Sequence, residues 1–478
     1  MKRALLLSIV ASVAVMAGGD IVPAPVVEES NWEWSGTAKV YYQTMDHANF
    51  FQGGGPVVGS GDKSFFHKNN SAADAGIQLR VANKDVIAGI GFGAELTGLS
   101  TLGLVNAGIV TASMQSADVG SYLSGDKNAD DALSAAWMSQ AYLTYGFGNT
   151  SFKVGRQELP KSLSPFAFSE GWNIFKNTFE AALIVNTDIT DTTIVGAYVN
   201  RANGSLSYAG SIVAIQAGTP ANYGAGDLAD WRDVGENGTY MLTVQNKSIA
   251  GLTATGSFYY APGFAKNGTI GEDSSYLNSF AGTDINNGQD SDAMVLWGDL
   301  AYNSADFPVT AAVQGGFIDA DNELGLDKTT AFGGRLGGKL GPVALSAAYT
   351  SVNIDDTLSA LTVTNFGTSV KSPLYTQMVL NQVFIDGHFG DSDTWQVKGV
   401  YKGLGGKFVA QYANSDTAND WNYGEFDFIY ATKFNTAYGD IGAKAMWINQ
   451  DFDGTPLAGF KSKDDSNNVI RLIASYDF

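Results

Sequence analysis

The sequence predicts an all-β fold: a transmembrane antiparallel barrel of about 18 strands with short periplasmic turns and long extracellular loops. Three observations carry this. Segment after segment alternates apolar and polar residues with period two, the mark of a strand with one greasy and one wet face. The connections between these segments alternate between tight turns and long polar stretches. Beyond the N-terminus no uninterrupted apolar run is long enough to cross a bilayer as a helix, which leaves a closed barrel as the only spanning form. The 57 Gly, 12% aromatic and only 16% charged residues suit many strands joined by turns. With no Cys in 478 residues, disulfides and zinc-thiolate sites are excluded.

In chain order, Lys2 and Arg3 precede an apolar run, Ala4–Met16, and Val15-Met16-Ala17 offers a small-x-small cleavage site. Residues 1–17 therefore read as a signal peptide, 18–33 as a periplasmic tether and 34–478 as the barrel. The formal charge of −20 argues against nucleic acid as a partner and against docking onto anionic lipid surfaces. In "WSGTAKVYYQ", Trp34, Gly36, Ala38, Val40 and Tyr42 share one face, and Lys39 lies on the other. "GLTATGSFYY" and "TWQVKGVYK" repeat the pattern, the second placing Lys398 and Lys402 opposite Trp395 and Val397.

Stretches such as 82–85, 146–149, 245–248, 340–342 and 403–406 read as hairpin turns. Between them fall long polar stretches: 44–74, 98–135, 157–178, 201–238, 261–292 and 352–393, with shorter ones near 319–329, 413–422 and 450–468. This makes nine outer loops and eight turns. A soluble sandwich, β-helix or adhesin also alternates, but no fixed short repeat is present, and aromatics gather near strand ends as in interfacial girdles. The chain ends on "VIRLIASYDF" in mid-strand, which makes sense if the last strand closes on the first with Phe478 at the periplasmic girdle. Tyr476 and Phe478 also resemble the C-terminal signal read by the barrel-assembly machinery.

The stretches 139–163 and 178–199 resemble the Opr-type porins, the major outer-membrane porins of campylobacter-like bacteria and the OprD-like group. Gln140, Tyr142-Leu143-Thr144-Tyr145, Gly155-Arg156-Gln157, Asn186, Asp191 and Tyr198 carry the likeness. It implies a porin of 18 strands in the outer membrane of a Gram-negative bacterium, often a homotrimer, with its third outer loop folded inward.

Strand phase assigns to the lumen Lys39, Arg80, Lys153, Arg335, Lys339, Lys398, Lys402, Glu425, Asp427, Lys444 and Arg471, along with Gln78, Glu95, Gln140, Tyr142 and Gln411. Cations predominate there, while acids concentrate in the loops. Such a wall reads either as a ladder for carboxylates, as OprD-like porins use, or as plain charge balance. The third loop, 157–178, is the expected constriction: its aromatics can anchor it while Lys161, Glu170 and Lys176 face the pore. Alternation from Phe152 and Val154 aims Arg156 at lipid, so a bulge or strand end is expected to turn it into the constriction.

"DADNELGLD" (319–327) is calcium-loop-like but lacks the required Gly and Glu, and no metal or cofactor is expected. His47, His67 and His388 all fall in loops, and Asp386, His388 and Asp391 form the one acid–histidine group that catalysis could use; surface position argues against an enzyme. The expected function is passive diffusion of ions and small hydrophilic solutes, carboxylate-bearing solutes among them. The alternative is a non-conducting adhesin or structural barrel. Outer-membrane lipid and lipopolysaccharide are the expected surroundings.

Overall fold

The computed structural model describes residues 31–46, 65–66, 71–104, 134–171, 174–203, 231–235, 237–266, 290–304, 308–320, 328–354, 361–368, 371–387, 389–418, 421–453 and 464–478. The signal segment, most of the tether, the three histidines and residues 321–327 of the acidic stretch lie outside them.

Eighteen strands form one antiparallel sheet closed on itself. The first six are β1 (Trp32–Met45), β2 (Ser71–Ile87), β3 (Ile90–Leu104), β4 (Ser134–Phe147), β5 (Thr150–Gln157) and β6 (Thr178–Asn186). Then follow β7 (Thr192–Asn203), β8 (Thr239–Asn246), β9 (Leu252–Lys266), β10 (Asp290–Asn303), β11 (Val309–Ala320) and β12 (Thr329–Leu340). The last six are β13 (Val343–Ile354), β14 (Ser392–Gly403), β15 (Gly406–Thr417), β16 (Trp421–Asn435), β17 (Asp440–Asp453) and β18 (Asp464–Asp477). A two-residue bridge, Arg232–Asp233, pairs with Arg201 and Ala202 but does not span. Closure runs from Thr37 opposite Asp477 to Met45 opposite Val469, so no sheet edge is left unpaired.

The alternation read from the sequence is the alternation of the wall. On β12, Phe332, Leu336 and Leu340 point outward, with Leu340 81% exposed, while Thr329, Ala331 and Gly333 are buried on the inner face. An outer surface of this kind is suited to hydrocarbon and unsuited to water. The two-residue turns Ala88-Gly89 and Leu404-Gly405 hold every residue at positive φ, the primed geometry whose twist matches the flanking strands. Among the described residues no helix is long and apolar enough to cross a membrane.

Strand ends differ from expectation in several places: β2 runs through the turn expected at 82–85 to Ile87, with the turn at Ala88-Gly89, and strands also reach into the loops expected at 261–292 and 450–468. β3 and β4 extend to Leu104 and back to Ser134, and β15 and β16 reach Thr417 and begin at Trp421, so both loops are shorter than expected. The end of β15, residues 414–417, is polar, and a hydropathy pattern stops where the lipid stops even though hydrogen bonding continues.

Among the described residues, two loops fold inward. Loop 158–177, between β5 and β6, seats Phe166 against Tyr259 and Trp297 on the wall at ring-centroid distances of 5.8 and 5.3 Å. The loop between β13 and β14 supplies Phe366, 5.6 Å from Phe166, and the Phe366 N–H donates to the Phe166 carbonyl at 2.7 Å. Further along, Leu380 packs with Met45, Met446, Ile448 and Val469. The short helix α1 (Gln382–Ile385) stacks Phe384 on Tyr423 at 3.9 Å. Apolar burial at both ends holds the second loop along the wall.

Candidate functional site

The inner face between the two loops and the periplasmic end is where charge collects. Arg335, Lys339 and Lys402 are exposed although they point into a closed barrel, so the interior is not filled by side chains. Lys39 donates from Nζ to the Ile174 carbonyl at 2.6 Å and lies 5.1 Å from the Phe175 ring. Lys153 sits 3.8 Å over the Tyr142 ring, and Arg335 sits 4.6 Å over the Tyr375 ring. Lys161 donates to the Ser372 carbonyl at 2.8 Å and lies 4.9 Å from Phe168, bridging the two loops. Lys402 is paired across the sheet with Lys407, and Lys444 is reached from Lys407 through Ala431 in the same row. Among the described residues none of these cations, nor Lys339 or Lys398, has a carboxylate within ion-pair distance.

Among the described residues, the inner-face acids that follow are engaged. Glu95 accepts from Arg80, from Gln78 at 2.9 Å, Ser139 at 2.6 Å and Gln140 at 3.2 Å. Glu158 binds Lys176 at 2.6 Å, Glu33 binds Lys84 at 3.0 Å, and Lys433 serves Asp440 at 3.0 Å and Asp477 at 3.6 Å. Asp299 accepts the Tyr375 hydroxyl. With these acids engaged and several cations unpaired, the surplus charge facing the lumen is positive.

Protonation of the loop groups follows their surroundings. Lys161 keeps contact with solvent, but enclosure by the wall and both loops pushes its ammonium down to about 8, Glu170 opposing and Arg335 reinforcing the fall. Lys371 is likewise lowered to about 8 by burial, against the pull of Glu170 and Glu425; its Nζ donates to the Val379 carbonyl at 2.7 Å. Burial and then Asp299 raise the Tyr375 phenol, which stays a donor.

Neither a family model nor a curated protein matches the sequence. Solved structures do match. OccK8 (OprE) of Pseudomonas aeruginosa aligns over 94% of this chain and 98% of its own, with a TM-score of 0.59 at 17% identity. OpdK of the same organism, solved with vanillate, aligns over 94% and 98%, with a TM-score of 0.62 at 11% identity. OccAB3 of Acinetobacter baumannii aligns over 94% and 99%, with a TM-score of 0.62 at 13% identity. The chain has the barrel fold of the OprD/Occ outer-membrane channels.

Against that fold, several expected site residues need correcting. Glu425, Asp427 and Arg471 are on the inner face but shut away from solvent, at 0%, 0% and 1% exposure. The second inward loop covers them: Glu425 accepts the N–H groups of Val379 and Leu380 at 2.9 and 2.8 Å, so it anchors loop backbone instead of lining a pore. Glu170 does not face the bore either. It is buried and accepts from the Asn365 side chain at 2.7 Å, from the Lys371 N–H at 3.0 Å and from the Thr368 hydroxyl, tying loop to loop. Arg80 and Lys176 keep their places but are neutralised by Glu95 and Glu158.

Arg156 is not turned inward. It belongs to β5, and the alternation runs on unbroken to the buried Gln157. Arg156 therefore stays on the face of Phe152 and Val154, directly across from Glu180. A lone charge there costs about 2–4 kcal/mol at the bilayer midplane and little near the rim. An ion pair to Glu180 at 2.8 Å, a bond to the Met138 carbonyl at 3.0 Å and the Trp231 ring at 4.4 Å satisfy it without a bulge in β5 itself.

Sequence reasoning missed Lys407, Lys371, Asp299, Tyr375 and the inward course of the second loop, expected at 352–393 only as a long outer loop. Lys407 had a signal, since it is in phase with Gln411 along "GKFVAQYA". The loop residues had none, because their partners lie far away in the chain.

Proposed function

We propose that the protein is an outer-membrane channel that passes small hydrophilic solutes down their gradients, with a preference for anions, carboxylates in particular. The observation that carries this is the imbalance inside the barrel: described acids are paired or covered, while Lys153, Arg335, Lys398, Lys402, Lys407 and Lys444 have no described acid within ion-pair distance. In a low-dielectric tube an uncompensated cation attracts anions far more strongly than it would in water. The vanillate in the OpdK structure, an aromatic carboxylate, is in keeping with this chemistry. Residues 1–17 serve as the signal peptide, those from 18 to the start of β1 at Trp32 as the tether, and Tyr476 and Phe478 as the assembly signal. The barrel functions in lipopolysaccharide-containing membrane, as a homotrimer, without a cofactor and without catalysing a reaction.

The test is single-channel recording in a planar bilayer across a KCl gradient. Discrete steps with an anion-selective reversal potential are expected, and Lys398→Ala with Lys444→Ala should move the reversal toward zero. Silence from folded, heat-modifiable protein would sink the channel reading and favour an adhesin or structural barrel.

A further inference from the structure

We propose that Tyr375 is a spacer that keeps Arg335 from pairing with Asp299, so that the guanidinium remains available to anionic solutes. The inference rests on the anion-channel reading and adds a positioning residue to it.

Asp299 lies on β10, opposite Gln314 of β11, and Arg335 lies on β12, opposite Ala312 of β11. Two strand spacings and a two-residue offset put their Cα atoms about 12 Å apart. An extended arginine and an aspartate can together close that gap to ion-pair distance. Both side chains are on the inner face, since Val295 and Trp297 on β10 and Ala331 on β12 pack inward in the same phase. Left to themselves, the two would collapse onto each other and cancel.

Tyr375 stands between them. Its hydroxyl donates to Asp299, and its ring carries the Arg335 guanidinium on its face. Neighbouring contacts hold it there independently of either charge. The Thr376 hydroxyl meets that of Thr350 at 2.5 Å, the Gln396 amide donates to the Thr376 carbonyl at 3.3 Å, and Lys161 binds the Ser372 carbonyl at 2.8 Å. Glu33, Glu95, Glu158, Asp440 and Asp477 on the inner surface are held by cations. Asp299 is held by a neutral group, and the nearest arginine is thereby left unspent.

The test compares permeability ratios from KCl reversal potentials for wild type, Tyr375→Leu, Tyr375→Leu with Asp299→Asn, and Tyr375→Phe. Leu keeps the bulk of the loop but neither stacks a guanidinium nor donates. It should cost more than half of the anion-over-cation ratio, and Asp299→Asn in the same chain should restore it, because no acid remains for Arg335 to join. Tyr375→Phe keeps the ring under Arg335 and should keep most of the preference. An unchanged ratio in Tyr375→Leu overturns the proposal. So does a loss that Asp299→Asn does not restore, which would assign Tyr375 to loop packing, or a loss in Tyr375→Phe as large as in Tyr375→Leu. A wild-type channel with no anion preference would overturn the underlying reading before any variant is made, and the spacer with it.

Discussion

The ring of Phe478 lies so close to Gly36 that a β-carbon there would come within 2.4 Å of it, and the two residues exchange backbone hydrogen bonds of 2.8 and 2.9 Å. The first and last strands thus meet through a glycine that makes room for the terminal aromatic. Gly36→Val should displace the ring and cost about 1–3 kcal/mol, the usual range for overpacking. The expected result is a smaller heat-modifiable fraction on refolding into detergent. Phe478→Ala in the same chain should recover part of the loss, because it removes the atoms that clash. Equal folding of Gly36→Val and wild type would show that the ring moves aside freely.

Glu170 is the knot between the inward loops. Replacing it with Ala leaves the Asn365 amide, the Thr368 hydroxyl and the Lys371 N–H short of an acceptor. A buried polar group left unpaired costs about 1–3 kcal/mol. The barrel wall does not depend on this contact, so Glu170→Ala should fold and melt nearly as wild type does. Its single-channel conductance should instead rise and become noisier as the loops part. Unchanged conductance would mean that the Phe166–Phe366 packing suffices on its own.

What could be read from the sequence follows from the range of the interactions involved. The wall is legible because a strand's neighbours are set by period two: Lys398 and Lys402 fall inward, Trp395 and Val397 outward, with no knowledge of the partner strand. The bore is not legible in that way. Nothing local says that Asn365 will meet Glu170, 195 positions away, or that Tyr375 will reach Asp299. Arg156 teaches the opposite lesson: the alternation there is correct, and the inward turn expected for a charged residue is not needed once Glu180 stands opposite it.

That pair has its own consequence. Glu180→Ala would leave Arg156 on the outer face with only the Met138 carbonyl and the Trp231 ring. Residual charge at the rim of the lipid belt should lower stability by up to about 1 kcal/mol, less than the midplane cost because the site is near the strand end. The urea midpoint in detergent micelles should fall accordingly. Arg156→Met combined with Glu180→Met should stand closer to wild type than Glu180→Ala alone, since replacing both charges removes the need for pairing. A double variant worse than the single would show that the ion pair, beyond mutual neutralisation, is stabilising.

Lys161 predicts the pH response. With its ammonium lowered to about 8, it is charged below that pH and largely neutral above it. Positive charge beside Arg335 favours anions, so raising the pH from about 7 to about 9 should reduce the anion-over-cation permeability ratio, whereas an unperturbed lysine near 10.4 would barely respond. Lys371 titrates in the same window, but its ammonium is spent on the Met378 and Val379 carbonyls and affects the bore less. Lys161→Met should therefore shrink the step and start, at the lower pH, from a smaller ratio than wild type. If Lys161→Met retains the full step, the titrating group is another one, and Lys161 serves only to bridge the two loops through Ser372.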